Sequence, residues 1–395
     1  MKVGGGLNNE GLAFGYDANS WSFGGEPTTN LAASITIAGM QGISLSYIGI
    51  EDGWKKYSMS GTFSSGTYPY CMYLQGVSFT GGVKYSTQAK IRTNVEDKFN
   101  YFGTSGVNYV NQPKDHNGTA SSTQPLINGQ NYPETRIVRR EGFAYTSTTT
   151  QSGYLHTNPI NGTTFNSSTD FVYLKDFQIE QKDHCTPYVN GTRSNTEGLI
   201  DMKGNQTLDT TNVSWVAITD SYGGRHQYPN FNGTSDHIDI DSVTLGNGNW
   251  TIETIVNTHA SNYHILSNSS GGPVTNAFGV QNNKMFYKNY DGAWQDNSGA
   301  ITVNYDEYYH LVWVNREGAS ASTGTMDLYV NGVKDSNSGF NSYTTNGGPV
   351  NIIGGNWTSG YFNGVIPVMR RYTVALSDEQ VEQHYKTYKT TFGLS

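Results

Sequence analysis

Apolar and polar residues alternate with a period of two over long stretches of this chain. Between residues 83 and 92 every second side chain is apolar or small, and those between are polar or charged. The first set is Val83, Tyr85, Thr87, Ala89 and Ile91; the second is Lys84, Ser86, Gln88, Lys90 and Arg92. This alternation predicts a β-strand with one buried and one solvent-facing side.

The same period recurs in the second half of the chain. Residues 326–330 alternate, and Asn331-Gly332 follows them with two residues that tolerate positive φ, which predicts a type I′ hairpin. Trp250 and Trp313 lie in similar alternating runs and are therefore predicted to be core residues.

A helical period occurs near the end of the chain. Ser377 and Gln380 have the spacing of a capping box. Val381, Tyr385 and Tyr388 then recur at helical spacing. We expect one short C-terminal helix with its apolar side on a sheet.

Composition agrees with an all-β protein. The chain has 395 residues, of which 14% are charged and 13% aromatic, with 28 Tyr and 47 Gly, and this length suits two β-sandwich (jelly-roll) domains. The net charge of −8 argues against nucleic acid as a partner. No apolar run is long enough to insert into a membrane. Cys71 and Cys185 are expected to be reduced, buried thiols, with a disulfide as the alternative.

Ordered motifs in residues 198–381 resemble the concanavalin A-like/laminin-G-like domain found in structural proteins of tailed phages. They are GLIDMKGN at 198–205, FNGTSDHI at 231–238, NWTIE at 249–253, YHLVW at 309–313, LYVNG at 328–332, IIGG at 352–355, YFNG at 361–364 and ALSDEQV at 375–381. The resemblance implies a lectin-like sandwich over about half of the chain.

One strand of that pattern is displaced. The family's strand before the GLIDMKGN-like turn resembles GLAFGYDA, which stands here at residues 11–18. We therefore expect a discontinuous lectin-like domain, with residues 1–25 as its first strand and 195–395 as its remainder. Residues 26–194 are expected to form an inserted jelly roll, since surface loops tolerate long insertions.

The insert has resemblances of its own. GVSFTGGVKYS at 76–86 looks like part of a carbohydrate-binding-module jelly roll. TPYVNGTRS at 186–194 resembles the exit segment of phage proteins. Together with an N-terminus that has no secretory signal, these features predict a non-enzymatic virion protein assembled in the host cytoplasm.

The predicted role is attachment within the particle, as a tail fibre, baseplate appendage or capsid-decorating protein. Other virion proteins are the expected partners, with host-surface polysaccharide and a second copy of the chain as further ones. The alternatives are a polysaccharide-degrading enzyme and a bacterial surface adhesin.

Glycoside hydrolysis needs two carboxylates that flank one sugar bond. The Glu-x-Asp-x-Glu motif of concanavalin-like glucanases is absent, and Asp239 and Asp241 are the nearest approach to it. We therefore expect no catalytic residues. Calcium is the one cofactor considered, with Asp236 as its candidate ligand. Pro367 replaces an acidic residue that many relatives carry in the last strand, which argues against calcium.

Aromatic residues among turn-forming neighbours are the candidate binding residues. They are Tyr290, Trp294 and Trp357. Because binding residues concentrate on loops held by a rigid scaffold, we expect these rings to contact a glycan or a neighbouring virion protein.

Overall fold

The computed structural model describes the chain in segments. These are residues 7, 9–18, 25–32, 36–64, 71–102, 136–144, 149–155, 157–219, 225–245, 248–260, 263–268, 276–290, 294–317, 324–341, 349–355 and 360–395. The all-β prediction is confirmed: these segments contain thirty strands, one α-helix and two 3₁₀ turns.

The first fourteen strands are β1 Leu12–Asp17, β2 Thr28–Thr29, β3 Thr36–Gly39, β4 Ile43–Glu51, β5 Trp54–Thr62, β6 Met72–Phe79, β7 Lys84–Thr93, β8 Phe99–Phe102, β9 Arg136–Ala144, β10 Thr149–Leu155, β11 Thr157–Pro159, β12 Thr164–Phe165, β13 Phe171–Glu180 and β14 Thr192–Arg193. The others are β15 Leu199–Ile200, β16 Thr207–Leu208, β17 Ser214–Thr219, β18 Arg225–Asn232, β19 Ile238–Thr244, β20 Trp250–Thr258, β21 Tyr263–Ser267, β22 Asn276–Gln281, β23 Lys284–Tyr290, β24 Trp294–Thr302, β25 Tyr308–Arg316, β26 Thr325–Val330, β27 Val333–Lys334, β28 Phe340–Asn341, β29 Pro349–Ile353 and β30 Asn363–Tyr372. Helix α1 is Asp378–Phe392, and the 3₁₀ turns are Glu96–Lys98 and Asn195–Glu197.

The chain divides into two compact units. Residues 1–27 and 193–395 form one, called here the discontinuous unit, and residues 28–192 form the other, the inserted unit. Strand β1 pairs antiparallel with β30, from Leu12 opposite Tyr372 to Asp17 opposite Val368. The assignment of the inserted unit to carbohydrate-binding modules stays a prediction.

The chain passes between the units twice, at residues 27–28 and 192–193, and hydrogen bonds join the segments that flank these two points. Within the discontinuous unit, the amide of Gly25 donates to the carbonyl of Gly198 at 2.7 Å. Within the inserted unit, the amide of Asn30 donates to the carbonyl of Gly191 at 2.6 Å. Both units therefore close on themselves near residues 27 and 193, as an insertion into a loop requires.

Two large sheets and the short pair β15-β16 form the described part of the discontinuous unit. One has nine strands in the order β17-β18-β30-β20-β25-β26-β27, with β1 also on β30 and β28 also on β26, and the other has six in the order β19-β29-β21-β22-β23-β24. Trp250 and Trp313 lie in the core between them, 4% and 0% exposed, which confirms their predicted place. The indole of Trp313 donates to the carbonyl of Phe286 in the opposite sheet at 2.9 Å.

The predicted hairpin and helix are confirmed. Asn331 and Gly332 have φ values of 50° and 76° between β26 and β27. The hydroxyl of Ser377 accepts from the amide of Gln380, and the Gln380 side chain accepts from the amide of Ser377. The helix packs through Val381 on the outer face of the nine-stranded sheet.

Beneath the helix lies a buried group of polar side chains around Glu253. We call Glu253, His310, Tyr372 and His384 the Glu253 cluster. Glu253 and both histidines are 0% exposed. One carboxylate oxygen of Glu253 accepts from His310 at 2.8 Å and from His384 at 3.0 Å, and the other accepts from the Tyr372 hydroxyl at 2.7 Å.

The cluster joins β20, β25, β30 and α1. Burial by itself would raise the pKa of Glu253, but the charge of His384 and the hydrogen bonds from both histidines hold that pKa well below its ordinary 4.5. A buried carboxylate without such partners costs several kcal/mol, so the three donors are what permit the charge to stay there.

The inserted unit also has sheets on either side of a core. A six-stranded sheet has the order β12-β5-β13-β7-β9, with β4 also on β5. The three-stranded sheet β10-β6-β3 and the pairs β11-β8 and β14-β2 are the other sheets among the described strands. Cys71 and Cys185 are both buried thiols, and the latter donates to the carbonyl of Thr87 at 3.3 Å.

The alternation predicted for β7 is only partly right. Tyr85, Ala89 and Ile91 are buried as expected, but Ser86 and Gln88 are buried too. A returning loop covers them, because Ser86 donates to the carbonyl of Lys182 and Gln88 to that of Thr186. Lys84 at the start of the polar side is exposed, and Lys90 and Arg92 at its far end are partly exposed.

The Glu253 cluster generates a prediction about acid stability. A depressed folded-state pKa stabilises the fold above the pKa of the unfolded chain, and that stability is lost as the pH falls through the folded value. We expect the free energy of unfolding to drop below about pH 4.5. Glu253→Gln should lower it by about 3 kcal/mol at pH 7 and flatten its acid dependence, as measured by urea denaturation at several pH values.

Glu382→Gln is the matched control, since Glu382 lies on the solvent side of the same helix with its side chain 53% exposed. This variant should keep the wild-type stability and acid profile. Equal acid profiles for Glu253→Gln and wild type would contradict the proposed role of the buried carboxylate.

Candidate functional site

The aromatic residues singled out from the sequence are only partly described by the structure. Tyr290 ends β23 and Trp294 begins β24, and the two are backbone partners across that hairpin. Trp294 is therefore the first residue of a strand rather than part of a loop. The side chains of both residues, and the whole of Trp357, lie outside the described residues, so their binding role stays a prediction.

Asp236 has a role in its own turn. One of its carboxylate oxygens accepts from the amide of Asn232 at 3.2 Å. The Asn232 side chain in turn accepts from the amides of Thr234, Ser235 and Asp236. These bonds define the bend that leads from β18 into β19.

A metal centre is not formed by the residues described. No three His, Cys, Asp or Glu side chains in the described segments stand close enough together to hold a metal ion. Calcium at Asp236 stays a prediction. Within the same segments no helix is long and apolar enough to span a membrane.

The carboxylates that could act on a sugar are poorly placed for acid catalysis. Asp239 and Asp241 alternate with the buried Ile240 on β19, so both lie on the exposed side of that strand. The general acid of a glycoside hydrolase sits in an enclosed, apolar setting that keeps it protonated. Glu253 is enclosed, but it has no exposed surface through which to meet a polysaccharide.

Exposed and half-buried polar side chains lie close together around His237, which follows the bend formed by residues 232–236. We call Asp209, Asn212, His237, Asp239 and Tyr361 the His237 cluster. The imidazole Nε2 of His237 lies 3.4 Å from the Asn212 amide nitrogen and 3.6 Å from an Asp239 carboxylate oxygen. Its other nitrogen, Nδ1, lies 2.7 Å from the carbonyl oxygen of Ser235, which fixes the ring.

Three chain segments meet at this cluster. A backbone bridge joins Asp209 to Asp239, and the bend of residues 232–237 carries His237. The ring of Tyr361 stands 6.2 Å from that of His237, tilted by 47°. Asp209 also accepts from the amide and hydroxyl of Thr211, and these bonds and the nearby His237 lower its pKa.

The surface offered by the His237 cluster suits a hydroxyl-rich ligand. Asp209, His237 and Tyr361 are half-buried, whereas Asn212 and Asp239 are exposed. Carboxylates accept hydrogen bonds from hydroxyls, an amide can accept and donate, and an aromatic ring provides an apolar surface. This combination of one ring with several convergent polar groups is typical of small-ligand sites.

Sequence reasoning missed most of this cluster. His237 was visible within the FNGTSDHI motif, but Asn212 and Tyr361 lie 25 and 124 positions away from it. Gly355 packs against His237 from the strand side, where an added Cβ would stand 3.0 Å from the His237 Cβ. Gly355 and Tyr361, which flank residues 356–359, therefore both lie next to His237. Trp357 itself is not among the described residues.

Comparison with protein families gives one match, which includes His237, Asp239 and Tyr361 of the cluster. Residues 232–382 match the family model of the concanavalin A-like lectin/glucanases superfamily, of laminin-G type. The match lies in the part of the chain whose motifs resemble that family. No curated protein matches the chain.

Several solved structures are similar in fold. Domain 4 of AbnA, an extracellular arabinanase from Geobacillus stearothermophilus in complex with arabinotriose, is 19% identical, with 48% of this chain and 91% of that one covered at a TM-score of 0.37. The receptor-binding domain of botulinum neurotoxin type G is 16% identical, with 49% of each chain covered and a TM-score of 0.35. The heptameric SAP-like pentraxin of Limulus polyphemus is 16% identical, with 39% of this chain and 78% of that one covered and a TM-score of 0.30. This chain thus spans about half the length of the toxin chain it matches.

Proposed function

We propose that this chain is a non-enzymatic glycan-binding protein of a phage particle. The observation that carries the glycan-binding part is the His237 cluster, a ring beside convergent hydrogen-bonding groups on the surface of a lectin-like sandwich. The arrangement supports recognition of sugar hydroxyls by Asp209, Asn212 and Asp239, with a sugar face against Tyr361.

The virion part of the proposal rests on the sequence. The order of motifs from 198 to 381 resembles that of structural proteins of tailed phages, as does the TPYVNGTRS segment at 186–194. A position on the outside of the particle suits such a protein, because a lectin-like domain acts only where host polysaccharide can reach it. Attachment to neighbouring virion proteins would hold it there.

The setting of the carboxylates discussed above supports a non-enzymatic role. Catalysis would need one enclosed acid and one carboxylate on opposite sides of a sugar bond. Asp239 and Asp241 both lie on one exposed strand side, and the enclosed Glu253 is committed to three hydrogen bonds. We therefore assign binding rather than cleavage to the discontinuous unit.

Glycan binding is tested with an array of bacterial and algal polysaccharide fragments. We expect the wild-type chain to bind a subset of them, and His237→Ala and Tyr361→Ala each to weaken that binding by about tenfold or more, since a lost polar contact or ring is worth about 1–3 kcal/mol. His259→Ala is the matched control, because His259 is a partly exposed histidine on another loop of the same unit. Unchanged binding by both cluster variants would remove the site from this surface.

Hydrolysis is tested on the polysaccharides that bind. The wild-type chain is expected to release no reducing ends on prolonged incubation, because Asp239 and Asp241 are exposed and Glu253 is enclosed and held by three donors. Measurable turnover that disappears in Asp239→Asn or Asp241→Asn would overturn the non-enzymatic assignment.

The virion assignment is tested by mass spectrometry of purified particles. Peptides of this chain should be present at a constant copy number per particle after density-gradient purification. Their presence only in the lysate, with none in particles, would contradict the virion role and leave the glycan-binding proposal standing.

A further inference from the structure

A second surface with binding chemistry lies on the inserted unit, on the side of its six-stranded sheet away from the core. Register places Lys56 on β5 and Arg92 on β7 on either side of Tyr173 in the central strand β13. Trp54, two residues before Lys56, is on the same side of the sheet. We call Trp54, Lys56, Tyr173 and Arg92 the Arg92 row.

Aromatic rings hold the Arg92 guanidinium in place. Its central carbon stands 4.6 Å from the ring centroid of Trp54 and 4.6 Å from that of Tyr173. The ammonium of Lys56 lies 4.0 Å from the Phe171 centroid and 5.5 Å from that of Tyr173. Flat stacking on aromatic faces orders a guanidinium and leaves its edges to donate hydrogen bonds.

Arg92 nevertheless forms no ion pair with a described residue. None of the described carboxylates forms an ion pair with it, and its enclosed Nε makes no hydrogen bond. The neighbouring cations differ, since Lys56 pairs with Glu51 at 2.6 Å and Lys90 pairs with Asp176. The charge of Arg92 helps to lower the pKa of Glu51, but that carboxylate forms its ion pair with Lys56 and not with Arg92.

Lys175 adds to this imbalance. It is the register partner of Lys90 on the same side of the sheet, and among the described residues it too has no ion pair. The described charges on this surface are four cations (Lys56, Lys90, Lys175 and Arg92) and two carboxylates (Glu51 and Asp176). The surface is thus positive in a chain whose net charge is −8.

The surface is open to a ligand. The side chain of Glu51 is 46% exposed and that of Lys90 is 38% exposed. The rings, by contrast, are covered, because Trp54 and Tyr173 are each only 7% exposed. What the surface presents is therefore charged groups rather than aromatic faces.

We propose that the Arg92 row is a binding site for an acidic polysaccharide, in which Arg92 and Lys175 contact anionic groups along the sugar chain. Guanidinium edges match the two oxygens of a carboxylate or sulfate group. Single-stranded nucleic acid fits less well, since it needs exposed ring faces on which bases can stack. The site is separate from the His237 cluster and does not depend on it.

The test uses the full chain and galacturonic acid oligomers, measured by titration calorimetry at low salt. Arg92→Gln should weaken binding by about tenfold to a hundredfold, as expected for loss of a charge-assisted contact. Arg92→Lys should weaken it less, because the charge remains but the flat fork is lost. Added salt should weaken wild-type binding.

Lys55→Gln is the matched control, since Lys55 is an exposed cation on the same strand that points to the other side of the sheet. It should bind as wild type does. If Arg92→Gln fails to fold in a thermal melt, Lys175→Gln tests the site instead, because Lys175 is only partly buried and stacks on no ring among the described residues.

Three further probes identify the ligand. Dextran should not bind, and dextran sulfate binding more tightly than galacturonate would assign sulfate rather than carboxylate as the preferred group. Equal binding of dextran, tighter binding of oligothymidylate than of either acidic glycan, or wild-type affinity in both Arg92→Gln and Lys175→Gln would overturn the proposal. Loss of array binding in the His237 variants would leave this result unaffected, so failure at one site is distinguishable from failure at the other.

Discussion

The discontinuous unit depends on the pairing of β30. On one side this strand takes β1 and the end of β18, and on the other it takes β20. Residues about 350 positions apart thereby become neighbours in one ladder, so the first strand contributes to the fold only if the chain returns to it. The hydrogen bond between Gly25 and Gly198 shows that the chain leaves and re-enters the unit at one place. The first strand can therefore pair with β30 although a long insert separates them in sequence. Loop-closure entropy rises slowly with length, and an insert of this size is therefore tolerable.

The outer side of the larger sheet is covered differently in the two units. In the discontinuous unit a helix covers that side, and the Glu253 carboxylate beneath it is held by His310, His384 and Tyr372. These partners compensate the charge of Glu253, and the cluster links the helix to the sheet. In the described part of the inserted unit, a loop covers only one end of that side, and Arg92 is held over two rings and forms no ion pair. A buried charge that is held by hydrogen bonds, as at Glu253, stabilises the fold. An ordered charge without an ion pair, as at Arg92, is available to bind a ligand.

The proposed binding surfaces also differ in chemistry. The His237 cluster offers carboxylates, an amide and one partly exposed ring, which suits neutral hydroxyl groups. The Arg92 row offers cations over covered rings, which suits anionic groups. A protein with both surfaces would recognise two chemical features of host polysaccharides.

Local pattern alone determined much of this protein. Period-two alternation, the Asn331-Gly332 turn and the Ser377–Gln380 capping box predicted the all-β class, a hairpin and the one helix described, because these features depend on backbone preferences within a few residues. The order of short motifs along residues 198–381 indicated the lectin-like region, because each motif can be read from a few neighbouring residues. Tertiary structure decided what no local rule contains: that a loop buries Ser86 and Gln88 on the side of β7 expected to be wet, that Asn212, His237 and Tyr361 meet, and that Tyr173 places Lys56 and Arg92 in one row. Strand register and the return of distant segments fix those contacts, and they depend on the packing of the whole chain rather than on any window of sequence.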